Sequence, residues 1–407
     1  MRIHFKALNA CTTRNAKLLQ YRDYLLAQGH ELVDDAGAAD AVLLWTCAFR
    51  ADHRDASLAC VRSLLDSPAR RVVVGGCLPS IAPDLLPAAG ERLVVAGWKE
   101  DEAAFDRIFA AASPLAAFRP VYVQERICRD ARAYRRETGQ DATFQDQYIK
   151  LVVSEGCNFA CTYCSERLAF PAYRSVPPEA LARSLCAEAE RSGVREAILV
   201  ADSLGQYGSD LGLDLPALAR TLHAAMPGLR LAYNNFHLRN FLDFAGEFAA
   251  LIREGKVAHL NLPIQSAADP VLARMNRSYG RQDVERAFGL LNGLGFRDFD
   301  THLIVGFPGE TESDLEQTLD LVLRARPRYV LASAFMPTPG APAAALPGRI
   351  APEAMARRLA RVQEAMDAAG IIVNCEGGDL STARIQRLLE ARPAVSATDP
   401  RPTKECS

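Results

Sequence analysis

The run Ser154-Glu155-Gly156-Cys157-Asn158-Phe159-Ala160-Cys161-Thr162-Tyr163-Cys164-Ser165 sets three thiols on one short stretch of chain. It directly follows the apolar run Ile149-Lys150-Leu151-Val152-Val153, which reads as a strand. The three sulfurs therefore share a loop at the carboxyl end of a strand, the end at which parallel α/β barrels place their chemistry. Three thiolates rather than four leave one iron of a four-iron cluster without a protein ligand and open to an outside molecule. A zinc loop or three buried cysteines are the rival readings. Zinc takes four ligands in paired Cys or Cys/His groups, and no suitable fourth ligand stands nearby in the sequence.

A second set, Cys11, Cys47 and Cys77, is dispersed over the region from 1 to 112. Hydrophobic runs alternate there with amphipathic stretches, which predicts strand-helix repeats and a parallel sheet. Strands are expected at Ile3 to Leu8, Ala41 to Trp45, Arg71 to Val74 and Arg92 to Val95, with helices near 15 to 28, 51 to 66 and 100 to 112. Each cysteine of the set falls just after a strand. Open parallel sheets bind ligands in the crevice beyond the carboxyl ends of their strands, so three cysteines far apart in sequence would converge. The alternative is three small buried hydrophobes.

From 113 to 147, prolines, clustered charges and weak periodicity read as a linker, which contains Cys128. Alternation resumes from 148 to 370. Strands are expected near 149 to 154, 196 to 201, 229 to 233, 258 to 262, 299 to 305 and 328 to 333; helices near 178 to 192, 214 to 225, 240 to 253, 282 to 294, 311 to 325 and 352 to 369. Six such units close only partway, short of the eight of a complete barrel. The expected fold class is α/β, an amino-terminal open parallel sheet domain followed by a partial (βα)6 TIM-like barrel. Residues 371 to 407 form a short tail whose polar, Pro-rich end reads as disordered.

Composition bounds the setting. The chain has 407 residues, 49% of them apolar, and a formal net charge of -2, so the wide positive field of many nucleic-acid binders is absent at this level. No stretch is long and apolar enough to span a bilayer, and the start lacks the organisation of a secretion signal. A cytoplasmic protein is expected. Eleven cysteines in a reducing compartment favour metal ligation, catalysis or burial over disulfides. Cys60 and Cys186 fall on expected helices as packing residues, and Cys375 and Cys406 follow the barrel without an assigned role.

The Cys157-Cys161-Cys164 run resembles the cluster motif of radical S-adenosylmethionine enzymes. Further stretches narrow the resemblance to the methylthiotransferase family, which modifies tRNA adenosines and a ribosomal-protein aspartate: Thr46-Cys47-Ala48-Phe49, Gly75-Gly76-Cys77-Leu78, Leu262-Pro263-Ile264-Gln265-Ser266, Met275-Asn276-Arg277 and Ile304-Val305-Gly306-Phe307-Pro308-Gly309-Glu310-Thr311-Glu312. Together they span roughly residues 1 to 366. The resemblance implies two 4Fe-4S clusters, a radical one on Cys157, Cys161 and Cys164 and an auxiliary one on Cys11, Cys47 and Cys77. It implies S-adenosylmethionine bound at the open iron of the first, and a reducing partner of flavodoxin or ferredoxin type. Cleavage of S-adenosylmethionine would yield a 5'-deoxyadenosyl radical, and the auxiliary cluster would supply sulfur. Asp202, Gln265, Gly306, Gly309 and Glu310 match cofactor-contact segments. Arg239 and Arg277 are candidate carboxylate partners.

This chain departs from the family in several places. Arg14 and Lys17-Leu18-Leu19 stand where members carry Asn and Asp-Ser-Glu, and Trp45 stands where an Asn commonly precedes the second cysteine. No run of strands like the family's carboxyl-terminal, substrate-binding β-barrel is legible after Met366. On that ground the expected substrate is a peptide, natural product or small molecule that gains sulfur or a methylthio group at a C-H bond, and tRNA is disfavoured. Alternatives are a tRNA methylthiotransferase, a radical enzyme forming another carbon-heteroatom bond or transferring another fragment of the cofactor, and a noncatalytic iron-sulfur carrier or sensor.

Overall fold

The computed structural model describes residues 1–8, 12–66, 71–88, 90–97, 101–109, 113–118, 127–138 and 142–375, with 12–16 and 101 described by backbone alone. Cys11, Cys406 and the tail expected to be disordered lie outside the described residues. The chain divides into two compact units. The first comprises Met1–Tyr122, Glu155–Arg174 and Met336–Ala345; the second comprises Val123–Ser154, Ser175–Phe335 and Leu346–Ser407.

The first unit carries strands β1 (Arg2–Ala7), β2 (Glu31–Val33), β3 (Ala41–Thr46), β4 (Arg71–Gly76) and β5 (Leu93–Val95) in the order β2-β1-β3-β4-β5. Every pairing is parallel. The chain winds outward from β1 to β2, then crosses back to β3 and continues the other way, so the order reverses between β1 and β3. β3 is buried along its whole length, as a central strand covered on both faces must be. Its pleat sends Leu43 and Trp45 into one core with Tyr21, Tyr24 and Phe105, and Val42 and Leu44 into another with Val61, Val72 and Val74. Helices Thr12–Ala27, Ala51–Leu65 and Asp101–Phe109 follow the expected ones closely. The three-residue strand β2 was not expected, being too short to show a period.

The second unit is built on a sheet of β6 (Ile149–Glu155), β7 (Arg174–Ser175), β8 (Glu196–Ala201), β9 (Arg230–Tyr233), β10 (Val257–Asn261), β11 (Phe299–Val305), β12 (Tyr329–Ala334) and β13 (Ile372–Asn374), ordered β13-β12-β11-β10-β9-β8-β6-β7. β6 and β8 through β13 pair in parallel, strand after helix after strand. The six expected strands are present to within a residue. β7 and β13 extend the sheet at its edges and are too short to be legible beforehand. The helix expected at 240–253 is two, Leu238–Asp243 and Ala245–Arg253. Within the stretch read as a linker, Ala131–Thr138 is helical, and Cys128, Ala131 and Ala142 pack with Tyr329 and Ile372. Among the described residues no helix is long and apolar enough to cross a membrane.

Candidate active site

In the first unit β3 and β4 run side by side with Thr46 opposite Gly76, so Cys47 and Cys77 leave the sheet together. The Cys77 N–H donates to Thr46 O at 3.1 Å. Gly76 takes φ +90°, and a Cβ there would collide with the Thr46 backbone. Only glycine allows this approach. The helix Ala51–Leu65 returns over Cys47: Ser57 Oγ accepts from the Cys47 N–H at 3.1 Å and donates to its carbonyl at 2.8 Å. One turn earlier, His53 Nδ1 lies 3.5 Å from Cys47 Sγ.

The loop after β6 belongs to the same unit. It begins at Gly156, with φ +85°, where a Cβ would stand 2.9 Å from Pro171 O and Tyr173 Cα. A turn closes it, the Cys164 N–H donating to Cys161 O at 3.3 Å, and the Ala343 N–H donates to Thr162 O at 2.9 Å. Cys161 is buried; Cys157 and Cys164 are half-buried. Cys77 belongs to an apolar cluster with Ala48, Leu58, Leu78, Ile81, Ala169 and Phe170, and Cys157 and Cys164 pack against it. The structure thus draws Cys77, Cys157 and Cys164 to one place.

A chain of ion pairs clamps both ends of the loop. Buried Lys17 lies 3.4 Å from Glu102, Glu102 lies 3.1 Å from Arg174, and Arg174 lies 3.7 Å from Glu155. Lys17 stands at one of the positions where the sequence departs from the family it resembles, and the structure gives that departure a partner. Nothing in the sequence links Lys17 to a glutamate so distant in the chain.

Burial pushes the Cys164 thiol up to about 12, helped by the negative charge of Glu166 and by the neighbouring Cys161 and Cys157. A thiol so placed keeps its proton near neutral pH, and binding of a metal centre would displace that proton. Among the described residues no three His, Cys, Asp or Glu side chains converge on a point as ligands of a single ion would. A four-iron cluster binds each thiolate through a different iron, so its ligands need not converge on one point, and three soft donors on one short loop suit it.

In the second unit, Asp202 and buried Ser203 follow β8, and Gly205 packs so tightly on Asn240 that a Cβ would overlap that side chain. Gln265 holds φ +66°, a conformation costly for any residue but glycine. Its N–H donates to His302 O at 2.8 Å and its carbonyl accepts from the Ile304 N–H at 2.9 Å, so β11 holds it there. Gly306 and Gly309, at φ +74° and +76°, bound the turn after β11. Glu310 is directed inward: its Oε2 accepts from the Gly306 N–H at 2.7 Å and from Arg358 at 3.0 Å. The carboxylate braces the turn from within. Burial pushes its carboxyl up to about 7, against the pull of the Gly306 N–H and Arg358.

The two candidate arginines are engaged locally. Arg277 donates to Tyr279 Oη at 2.8 Å and to Pro263 O at 2.9 Å, and Arg239 pairs with Asp243 at 3.3 Å. Cys60 and Cys186 are half-buried on helices, and Cys128 is buried, its thiol pushed up to about 11 by burial. Trp45 is 1% exposed and lies 5.5 Å from Tyr21, so it is a core side chain.

The parallel sheet and the cysteine loop at the end of its first long strand define a radical S-adenosylmethionine enzyme. The Radical SAM superfamily profile matches residues 151–322, and a family described as "Uncharacterized protein family UPF0004" matches residues 3–96. A "Probable threonylcarbamoyladenosine tRNA methylthiotransferase" of Pyrococcus horikoshii is 30% identical over 344 residues, 81% of this chain and 76% of that one. The "Ribosomal protein uS12 methylthiotransferase RimO" of Frankia alni is 31% identical, covering 84% and 70%. The chain belongs to the radical S-adenosylmethionine methylthiotransferase family, transferases that use S-adenosylmethionine and 4Fe-4S clusters. In fold it is similar to a radical S-adenosylmethionine methyltransferase, TsrM, of Kitasatospora setae, with TM-score 0.58, 16% identity, and 84% and 74% of the two chains covered.

Proposed function

We propose that the chain is a tRNA methylthiotransferase, placing a methylthio group on an adenosine carbon. Relatives named for tRNA support this substrate over the peptide or small molecule expected from the sequence. That expectation leaned on what is not legible beyond Met366, and a positive likeness weighs more. A protein substrate is the second reading, supported by the Frankia alni relative named for a ribosomal protein.

The observation that carries the chemistry is the packing of Cys77 with Cys157 and Cys164 on one apolar cluster. In this reading Cys157, Cys161 and Cys164 hold the radical cluster, and Cys11, Cys47 and Cys77 hold the auxiliary one. When bound, the clusters and S-adenosylmethionine supply a carbon radical strong enough to take a C-H hydrogen, and the sulfur that replaces it. The chain's own residues do the rest. Gly156 and the Lys17-Glu102-Arg174-Glu155 chain fix the loop, Ser57 holds the Cys47 backbone, and Leu58, Leu78, Ile81 and Phe170 keep water from the cysteines. In the second unit, Asp202, Gln265 and the Gly306 to Glu310 turn are the proposed S-adenosylmethionine contacts. A flavodoxin- or ferredoxin-type donor supplies electrons.

Nucleoside mass spectrometry of tRNA from cells with and without the gene tests this. Loss of a methylthioadenosine in the deleted strain supports it. Unchanged tRNA nucleosides, with a methylthiolated protein residue lost instead, would turn the reading to the second substrate class, and a lost metabolite would overturn both.

A further inference from the structure

His53 and Ser57 stand four residues apart on the helix Ala51–Leu65 and therefore share a face. That face meets Cys47 twice. Ser57, fully buried, takes both the N–H and the carbonyl of Cys47, at 3.1 and 2.8 Å, and so locks its backbone against the helix. His53 then meets the thiol itself, with Nδ1 3.5 Å from Sγ, a distance suited to an N–H···S hydrogen bond. The other ring nitrogen, Nε2, lies 3.9 Å from an Asp52 carboxylate oxygen, beyond hydrogen-bond distance, so no hydrogen bond to that oxygen competes for the ring proton. The imidazole keeps 30% of its surface in solvent, so packing alone does not account for its placement.

We infer that His53 is a positioning residue of the auxiliary centre, donating an Nδ1–H···S hydrogen bond to Cys47 and setting the reduction potential of the cluster held there. The inference rests on the reading of Cys47 as a cluster ligand. A hydrogen bond to a ligating sulfur stabilises the more negative, reduced cluster and so raises its potential. Partners of this kind also fix the orientation of a ligand. The Ser57 clamp matters here, because it holds the Cys47 backbone against the same helix that carries the ring.

The test uses the full chain, reconstituted anaerobically with iron and sulfide, in a background carrying Cys157→Ala, Cys161→Ala and Cys164→Ala so that only the auxiliary centre contributes. Iron content and the midpoint potential from an electron paramagnetic resonance titration are read for His53, His53→Phe and His53→Gln. Expected is a full cluster in His53→Phe at a lower potential, restored toward the parent in His53→Gln, whose amide can donate. Equal potentials in His53→Phe and the parent overturn the inference. If His53→Phe sheds its iron, His53→Gln decides: iron kept at the parent potential supports the donor role, and iron lost overturns it. Cys47→Ala in the same background separates the premise, since undiminished iron there would remove Cys47 from the cluster altogether.

Discussion

Cys77 and Cys157, one from each cysteine set, pack on the same apolar cluster within one compact unit of the chain. Cys77 reaches it from the end of β4 and Cys157 from the loop after β6. On the proposed reading, a radical made at the loop centre and a sulfur donor at the other need such closeness, because the intermediate would attack any hydrogen donor met on a longer path.

The two sets can be separated by substitution. In Cys157→Ala, S-adenosylmethionine cleavage should cease, since that thiolate belongs to the loop set. In Cys47→Ala, cleavage should continue while methylthiolated product disappears. Chromatography of 5'-deoxyadenosine alongside mass spectrometry of the substrate reads both. Deoxyadenosine formed by Cys157→Ala would refute the assignment of the radical cluster.

Gly156→Ala should harm the loop without touching a thiol. At φ +85° a Cβ is strained, and here it would also stand 2.9 Å from Pro171 O and Tyr173 Cα. The conformation alone costs about 1–2 kcal/mol, and the crowding adds to it. A lower melting temperature together with reduced iron in the purified protein is the expected result. Wild-type iron content and stability would show that the turn relaxes easily.

How much of this was legible beforehand follows from how local each signal is. The long strands and helices show in their hydrophobic periods, and the cysteine loop shows in its spacing. The glutamine at 265 was singled out by wording, but its strained φ of +66° and its two bonds to β11 are products of tertiary pairing. Glu310 read as a ligand contact, and its side chain is committed to Gly306 and Arg358. That pairing joins a turn to a distant helix, Pro352–Ala368, and has no period or motif to announce it. The same holds for Lys17 with Glu102, and for His53, which meets Cys47 only once the helix has folded back.

Glu102→Gln tests the clamp on the loop. Lys17 is 3% exposed, and the substitution leaves its ammonium without that carboxylate while Arg174 keeps only Glu155 of its two acidic partners in the chain of ion pairs. Removing one member of a buried pair is expensive, and with Glu102 itself partly exposed a loss of about 2 kcal/mol is expected. Urea denaturation measures it. A second readout, slower S-adenosylmethionine cleavage with the full iron complement, distinguishes a displaced loop from general destabilisation. No change in either would make the ion pairs incidental.

Glu310 predicts a pH dependence of stability. Burial holds its carboxyl up to about 7, above the ordinary 4.5. Below the ordinary value both folded and unfolded chains carry the proton, and the contribution to stability is fully present. As pH rises from there the unfolded chain gives up its proton while the folded one keeps it, so the folded state binds more protons and stability falls until the folded carboxyl itself ionises near 7. A displacement of this size corresponds to about 3 kcal/mol at most. Glu310→Gln cannot titrate, and its urea midpoint should stay level between about pH 5 and about pH 8 relative to the falling parent curve. Parallel curves for the two proteins would mean that Arg358, 3.0 Å away, keeps the carboxylate charged throughout.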